Sequence, residues 1–159
     1  MPSPPATSPP APPASDKRCF IIGTADPGTA RPGTMFFTKR ELHDLVDSGK
    51  LLSILVWFEH GDQWKDCVGR VVYAWVDERH GLKVVIAFDN LDLASGAIFE
   101  WIKSGVFRGL SLGYTATVDK KTYEVTQKRV DEVSIVQTPF HPTCRIDTIV
   151  PDGVRAVWG

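Results

Sequence analysis

Apolar positions along this chain fall into runs of two different periods, and the periods predict the elements. Leu51 to Phe58, Leu-Leu-Ser-Ile-Leu-Val-Trp-Phe, is almost unbroken and reads as a buried strand. Val68 to Trp75 and Leu82 to Phe88 are two more, joined as a hairpin by the turn-like Asp77-Glu-Arg-His-Gly81. Leu93, Ala94, Ala97, Ile98, Trp101 and Ile102 recur instead at helical spacing, and Gly105 ends that helix. Thr38-Lys-Arg-Glu41 announces another helix as a capping box, in which hydroxyl and carboxylate each take up a free backbone donor. This helix runs to about Ser48, with Gly49 just past its end. Cys19–Ile22, Leu110–Val118, Tyr123–Thr126, Val130–Val136 and Arg145–Val150 are also strand-like, and Gly23 to Gly33 is a Pro/Gly-rich loop. Strands mostly follow strands, with no βαβα alternation and no internal repeat. The expected fold class is α+β, with an antiparallel β-barrel-like core of about seven strands and outer helices.

Composition changes the picture at one end of the chain. Residues 1–16, MPSPPATSPPAPPASD, hold seven of the twelve prolines and almost nothing that packs. Such a segment cannot offset its ordering entropy by burial, so 1–16 is expected to be a disordered arm of polyproline II character. A ligand for an SH3-type domain is the functional alternative for it. The folded domain is then 17–159, enough for one sizeable core at 43% hydrophobic residues overall. A net charge of −1 provides no electrostatic footprint for nucleic acid or an anionic membrane. No apolar run approaches the roughly 18 residues of a membrane span. The first residues lack the basic and apolar segments of a secretory signal. Cys19, Cys67 and Cys144 are odd in number and form no CxxC pair, which suggests neither a disulfide framework nor a zinc knuckle. A reducing intracellular compartment is the default.

Three segments hold candidate chemistry. Gly109-Leu-Ser-Leu-Gly113 matches G-x-S-x-G, and its glycines let a substrate backbone approach Ser111. It is not a hydrolase elbow, because the residues after it form a strand and not a helix. The bland reading of Ser111 is a small polar residue in a glycine-flanked strand. His60 ends the most apolar run, where packing can hold an imidazole that titrates near neutrality; a surface histidine at a strand end is the alternative. His43, inside the first helix, and His80, in the hairpin turn, are expected to face solvent. Asp131-Glu-Val-Ser-Ile-Val136 opens a strand with two carboxylates. Period-2 alternation puts Glu132, Ser134 and Val136 on one face and Asp131, Val133 and Ile135 on the other. Either acid can orient a histidine, and His141 is a further candidate.

The order of these segments resembles the capsid-maturation proteases of herpesviruses (assemblins) and the HK97-type prohead proteases of tailed phages. The likeness runs over residues 20–150. It rests on Glu59-His60 closing an apolar strand, the hairpin of Val68-Gly-Arg-Val71 and Gly81-Leu-Lys-Val84, and a helix leading into Gly109-Leu-Ser-Leu-Gly-Tyr114. Asp131-Glu-Val-Ser-Ile-Val136 followed by Thr138-Pro-Phe-His-Pro142 completes it.

The resemblance implies a serine endopeptidase with Ser111 as nucleophile, His60 as general base and Glu132 as the group that orients it. Asp131 and His141 stand behind Glu132 for that third role. The herpesvirus enzymes carry an arginine pair after the matching strand to support the oxyanion, and this chain does not. Backbone N–H groups of Leu112 and Gly113 are the default donors, with Arg145 a weaker one. No metal or cofactor is implied. The implied substrate is the scaffold inside an immature capsid and, by a cut near Ala156-Val157, the protease's own C-terminal extension. A homodimer or higher oligomer, action inside the assembling procapsid, and no nucleic-acid or membrane partner complete the expectation. Two other readings use the same residues. One is a catalytically silent scaffold or capsid-interaction domain on the same fold. The other is an unrelated β-barrel binding module, in which His60 and Ser111 lie far apart.

If 1–16 is an arm that buries nothing, deleting it leaves the thermal midpoint nearly unchanged. A scanning-calorimetry comparison with the full chain checks this, and a large drop shows that the arm docks on the domain.

Overall fold

Seven strands form one sheet in the computed structural model, which describes residues 19–59, 67–88 and 93–150. In chain order the elements are β1 (Cys19–Asp26), α1 (Lys39–Asp47), β2 (Leu55–Phe58), β3 (Cys67–Asp77), β4 (Gly81–Phe88), α2 (Leu93–Lys103), β5 (Gly109–Val118), β6 (Val125–Val136) and β7 (Ile146–Val150). Across the sheet the order is β5-β6-β2-β3-β4-β1-β7. Every neighbouring pair is antiparallel except β2 and β6, which run parallel. The α+β class with a barrel-like core therefore holds, although the sheet stays open. The proline-rich arm, His60 and the C-terminal tail lie outside the described residues.

α1 begins, and both helices end, where their caps predict. Thr38 Oγ1 accepts the Glu41 N–H at 3.2 Å while Glu41 Oε1 accepts the Thr38 N–H at 2.9 Å, the reciprocal capping box. Gly49 follows the C-cap Ser48 at φ 73° and Gly105 follows α2 at φ 82°, the left-handed conformation that glycine adopts without a side-chain clash.

Three strand boundaries differ from the sequence reading, each for a tertiary reason. β1 continues past Ile22 to Asp26, because its ladder with β4 runs on to the pairing of Asp26 with Leu82. β2 starts only at Leu55. Leu51 is fully buried, but it sits in the turns after α1, and Ser53 at φ 68° interrupts the extended backbone. The apolar run thus serves a packed turn before it serves a strand. Tyr123–Thr126 and Val130–Val136 are not two strands. Tyr123 occupies the turn after β5 at φ 61°, and β6 runs unbroken from Val125.

One face of the sheet packs with α1 and α2 into the main core, which includes Ile21, Leu42, Val56, Val84, Ile86, Ile98, Leu110, Val133 and Ile135. Phe20, Ile22, Trp75, Val85, Ala87 and Val150 form a second buried cluster, so β1 and β4 bury side chains of both parities. The two edges of the sheet approach each other. Leu110 N–H donates to Cys144 O at 2.9 Å and Ile146 N–H to Arg108 O at 2.8 Å, a short antiparallel bridge between β5 and the start of β7. Past this seam β5 diverges and leaves a gap.

Gly23 lets β1 reach the seam. A Cβ there would lie 2.6 Å from Arg145 O and 2.8 Å from Leu110 Cδ1. Gly23→Ala is expected to cost about 1–3 kcal/mol of stability by overpacking. Urea denaturation measures it, and a variant as stable as the parent shows that the seam has room to give.

Candidate active site

The pairing of β5 with β6 aligns Ser111 with Ser134 and Gly113 with Glu132. Leu110, Val133 and Ile135 are core residues, so alternation turns Ser111, Ser134 and Glu132 to the opposite face. A Cβ on Gly113 would collide with the Glu132 side chain, whose Cγ and carboxylate lie directly over that glycine. The second glycine of G-x-S-x-G therefore makes room for the carboxylate of the neighbouring strand. Ser111 and Glu132 come to the same face, one pleat apart.

On its other side β6 pairs with β2, Val56 with Val133, Trp57 with Ser134 and Phe58 with Ile135. Glu59 closes that ladder: its N–H donates to Ile135 O at 2.9 Å and its Oε1 accepts the Gln137 N–H at 2.8 Å. Glu59 is held at φ 53°, where the chain turns out of the strand, and His60 is the next residue in sequence.

The other candidates separate. A bulge between Gly113 and Tyr114 leaves Asp131 unpaired in the ladder. Its exposed carboxylate accepts Thr115 Oγ1–H at 2.6 Å and Arg129 Nε–H at 3.1 Å, and the Thr115 hydrogen bond holds it below the usual range. His43, partly covered on α1, has its Nε2 3.6 Å from Glu78 Oε1, and exposed His80 has its Nδ1 3.0 Å from Asp77 Oδ1. Arg145 is exposed and does not line the pocket described below. The two expected backbone donors point opposite ways. Leu110 N–H leaves β5 toward the seam, so the Leu112 N–H faces that side too, whereas the Gly113 N–H faces β6.

Where β5 leaves the seam there is a pocket of about 120 Å³. Met35, Phe36, Leu110, Leu112 and Phe140 make its walls mostly apolar, and Met35 and Phe140 stand exposed at 44% and 70%. Ser111, Asp26 and His141 are among its polar groups. The wall of residues 35–37 is tied to the strand pair by Tyr114 O–H donating to Met35 O at 2.7 Å and Lys128 Nζ donating to Phe36 O at 2.6 Å. His141 lies in the loop between β6 and β7, its ring edge-on to Phe36 at 5.5 Å.

Asp26 is the residue that sequence reading missed. It is only 4% exposed, and its carboxylate accepts the Gly28 N–H at 2.8 Å and the Phe37 N–H at 3.4 Å, pinning the loop that walls the pocket. Asp26-Pro-Gly28 carried a signal for it, since an aspartate before Pro-Gly commonly accepts the amide two residues on.

A family model described as caudovirus prohead serine protease matches residues 40–155. No curated protein matches the chain. Among solved structures, KSHV protease in complex with a hexapeptide phosphonate inhibitor is similar, with a TM-score of 0.53 at 12% identity. The match covers 82% of this chain and 64% of that protein, so the chain spans less than two thirds of the KSHV protease chain. At this identity the likeness is one of fold.

Burial raises the Asp26 pKa from 3.8 to about 6, against the lowering effect of its two backbone hydrogen bonds and of Lys128. A carboxyl whose folded pKa exceeds its unfolded one binds its proton more tightly when folded. Its contribution is therefore most favourable below pH 3.8 and declines as pH rises through about 6, by a total on the order of 3 kcal/mol. The carboxylates held low, Asp77, Glu78, Asp119 and Asp131, act in the opposite sense and at lower pH. Asp26→Asn is expected to remove the decline between about pH 4 and 6.5. Urea unfolding of both proteins across that range checks it, and parallel stability curves would refute it.

Proposed function

Because the chain belongs to the caudovirus prohead serine protease family, we propose that it is an endopeptidase that cuts the internal scaffold of an immature capsid through Ser111, His60 and Glu132. The observation that carries this reading is the β5–β6 register, which brings Ser111 and Glu132 to one face with Gly113 clearing space for the carboxylate. The parallel pairing of β2 supports it, since Glu59 is fastened to the far side of β6 and the chain continues from there into His60. Geometry thus supports two of the three proposed groups, and sequence adjacency supports the third.

The chemistry is acyl transfer. Ser111 Oγ forms a bond to the scissile carbonyl carbon as His60 takes the hydroxyl proton. His60 then delivers that proton to the departing amine, and an acyl-enzyme remains. Water attacks the acyl carbon as His60 accepts its proton; the bond to Ser111 Oγ then breaks, His60 returns the proton to that oxygen, and the acid product leaves. Glu132 holds the imidazole in the productive tautomer and stabilises its charged form. The amide of Leu112, turned to the open side of β5, is the backbone donor best oriented for the oxyanion. The site of action is the assembling procapsid within the infected cell, and self-processing of a longer precursor and oligomer formation belong to the same proposal.

Incubation of the purified protein with the scaffold protein of its capsid, read by mass spectrometry, tests the reading. Ser111→Ala is expected to lose at least about 10³ in rate, and Glu132→Gln about 10²–10⁴, each with a thermal midpoint close to the parent's. A Ser111→Ala protein that still cuts scaffold at the parent rate ends the serine-protease reading.

A further inference from the structure

Resting on the reading of Ser111 as nucleophile, we propose that His141 is a catalytic residue that donates a hydrogen bond from its Nε2–H to the oxyanion. The argument starts from the loop between β6 and β7. His141 Nδ1 accepts the Thr143 N–H at 3.2 Å and lies 2.7 Å from Thr143 Oγ1. A backbone N–H can only donate, so Nδ1 presents its lone pair and carries no proton. The neutral ring is then the Nε2–H tautomer. Phe36 meets the ring edge-on at 90°, and Cys144 N–H closes the turn by donating to His141 O at 2.9 Å. Ring orientation and tautomer are thus set by the loop before any substrate arrives.

The ring lines the same pocket as Ser111, and Nε2 has no partner among the described residues. In this tautomer Nε2 is a donor with no lone pair to offer. It cannot accept an N–H from another imidazole, which is what the orienting member of a triad must do. A donor held in the pocket that Ser111 also lines suits an oxygen that gains charge. As Ser111 Oγ bonds to the carbonyl carbon, the C=O π pair moves onto oxygen and the hydroxyl proton goes to the general base. His141 keeps its own proton and shares it with that oxygen. Leu112 N–H, on the open edge of β5 next to the loop, is the second donor.

The test uses the full 159-residue chain and a fluorophosphonate reporter. Ser111 Oγ forms the bond to phosphorus as the general base takes its proton, fluoride leaves with its electron pair, and the tetrahedral oxygen occupies the oxyanion position. The rate of Ser111 labelling is read by mass spectrometry across pH. His141→Phe, which keeps the edge-to-face ring contact, is expected to label about 10²–10³-fold more slowly, with the inflection of the pH profile unmoved. His141→Gln, whose side-chain amide offers an N–H, is expected to recover most of that loss. Equal rates in the parent and His141→Phe overturn the donor role and leave the nucleophile assignment standing. So does a shifted inflection, or slow labelling in both variants without recovery by Gln. A parent protein that does not label at Ser111 overturns the active-site reading and the donor role together. His141→Ala is a second donor-free variant, with the same expectation, should His141→Phe fail to fold.

Discussion

The site depends on β6, a strand of twelve residues that pairs near its C-terminal end with two partners at once. On one side the antiparallel ladder with β5 fixes Ser111 opposite Ser134; on the other the parallel ladder with β2 fixes Trp57 opposite the same residue. Val133 to Val136 are all buried, which a strand in the middle of a sheet requires and a register slip would undo. A shift of one residue in either ladder would turn Glu132 to the core or take Ser111 off its face. Hydrophobic burial at Val133 and Ile135 therefore does more for the geometry of the polar groups than any contact between the polar groups themselves.

Around the pocket the same economy recurs. The wall of residues 35–37 has no regular structure, yet Tyr114, Lys128 and Asp26 each grip one of its backbone groups. Two of these grips come from β5 and β6, so the wall and the strand that carries Ser111 share one frame. Lys128 lies with its ammonium 3.7 Å from Glu41 and over the Phe37 ring at 4.7 Å, and Glu41 also caps α1. The first turn of α1, the loop and β6 are thereby joined through one cation. Asp26 sits close enough to that cation for the charge to favour ionisation, while burial opposes it.

Local chemistry made the helices and the hairpin legible in sequence, because a capping box or a C′ glycine acts within a few residues. The alternation of Glu132 and Ser134 against Val133 and Ile135 was legible for the same reason, and the structure keeps it. What escaped was decided across the sheet. Nothing in Leu51–Leu55 says that Ser53 will break the strand, and nothing in Gly23–Asp26 says that β4 will extend β1 to Asp26. The parallel pairing of β2 and β6 joins segments some 75 residues apart in sequence, beyond any local signal. The separation of Asp131 from Glu132 turned on a single bulge, which the two adjacent acids do not announce.

The seam also has a temporal side. Cys144 and Arg145, which close β5 against β7, and Val150, which pairs with Phe20, come from the last described stretch of the chain, whereas β1 comes from the first. A topology whose two ends must meet pays its loop-closure entropy late and folds slowly for its size. During synthesis the β3–β4 hairpin can form as soon as it emerges, but the pocket wall cannot, since Phe140 to Cys144 are made after everything they face. The pocket therefore gains its second side only after nearly all of the described residues have been made.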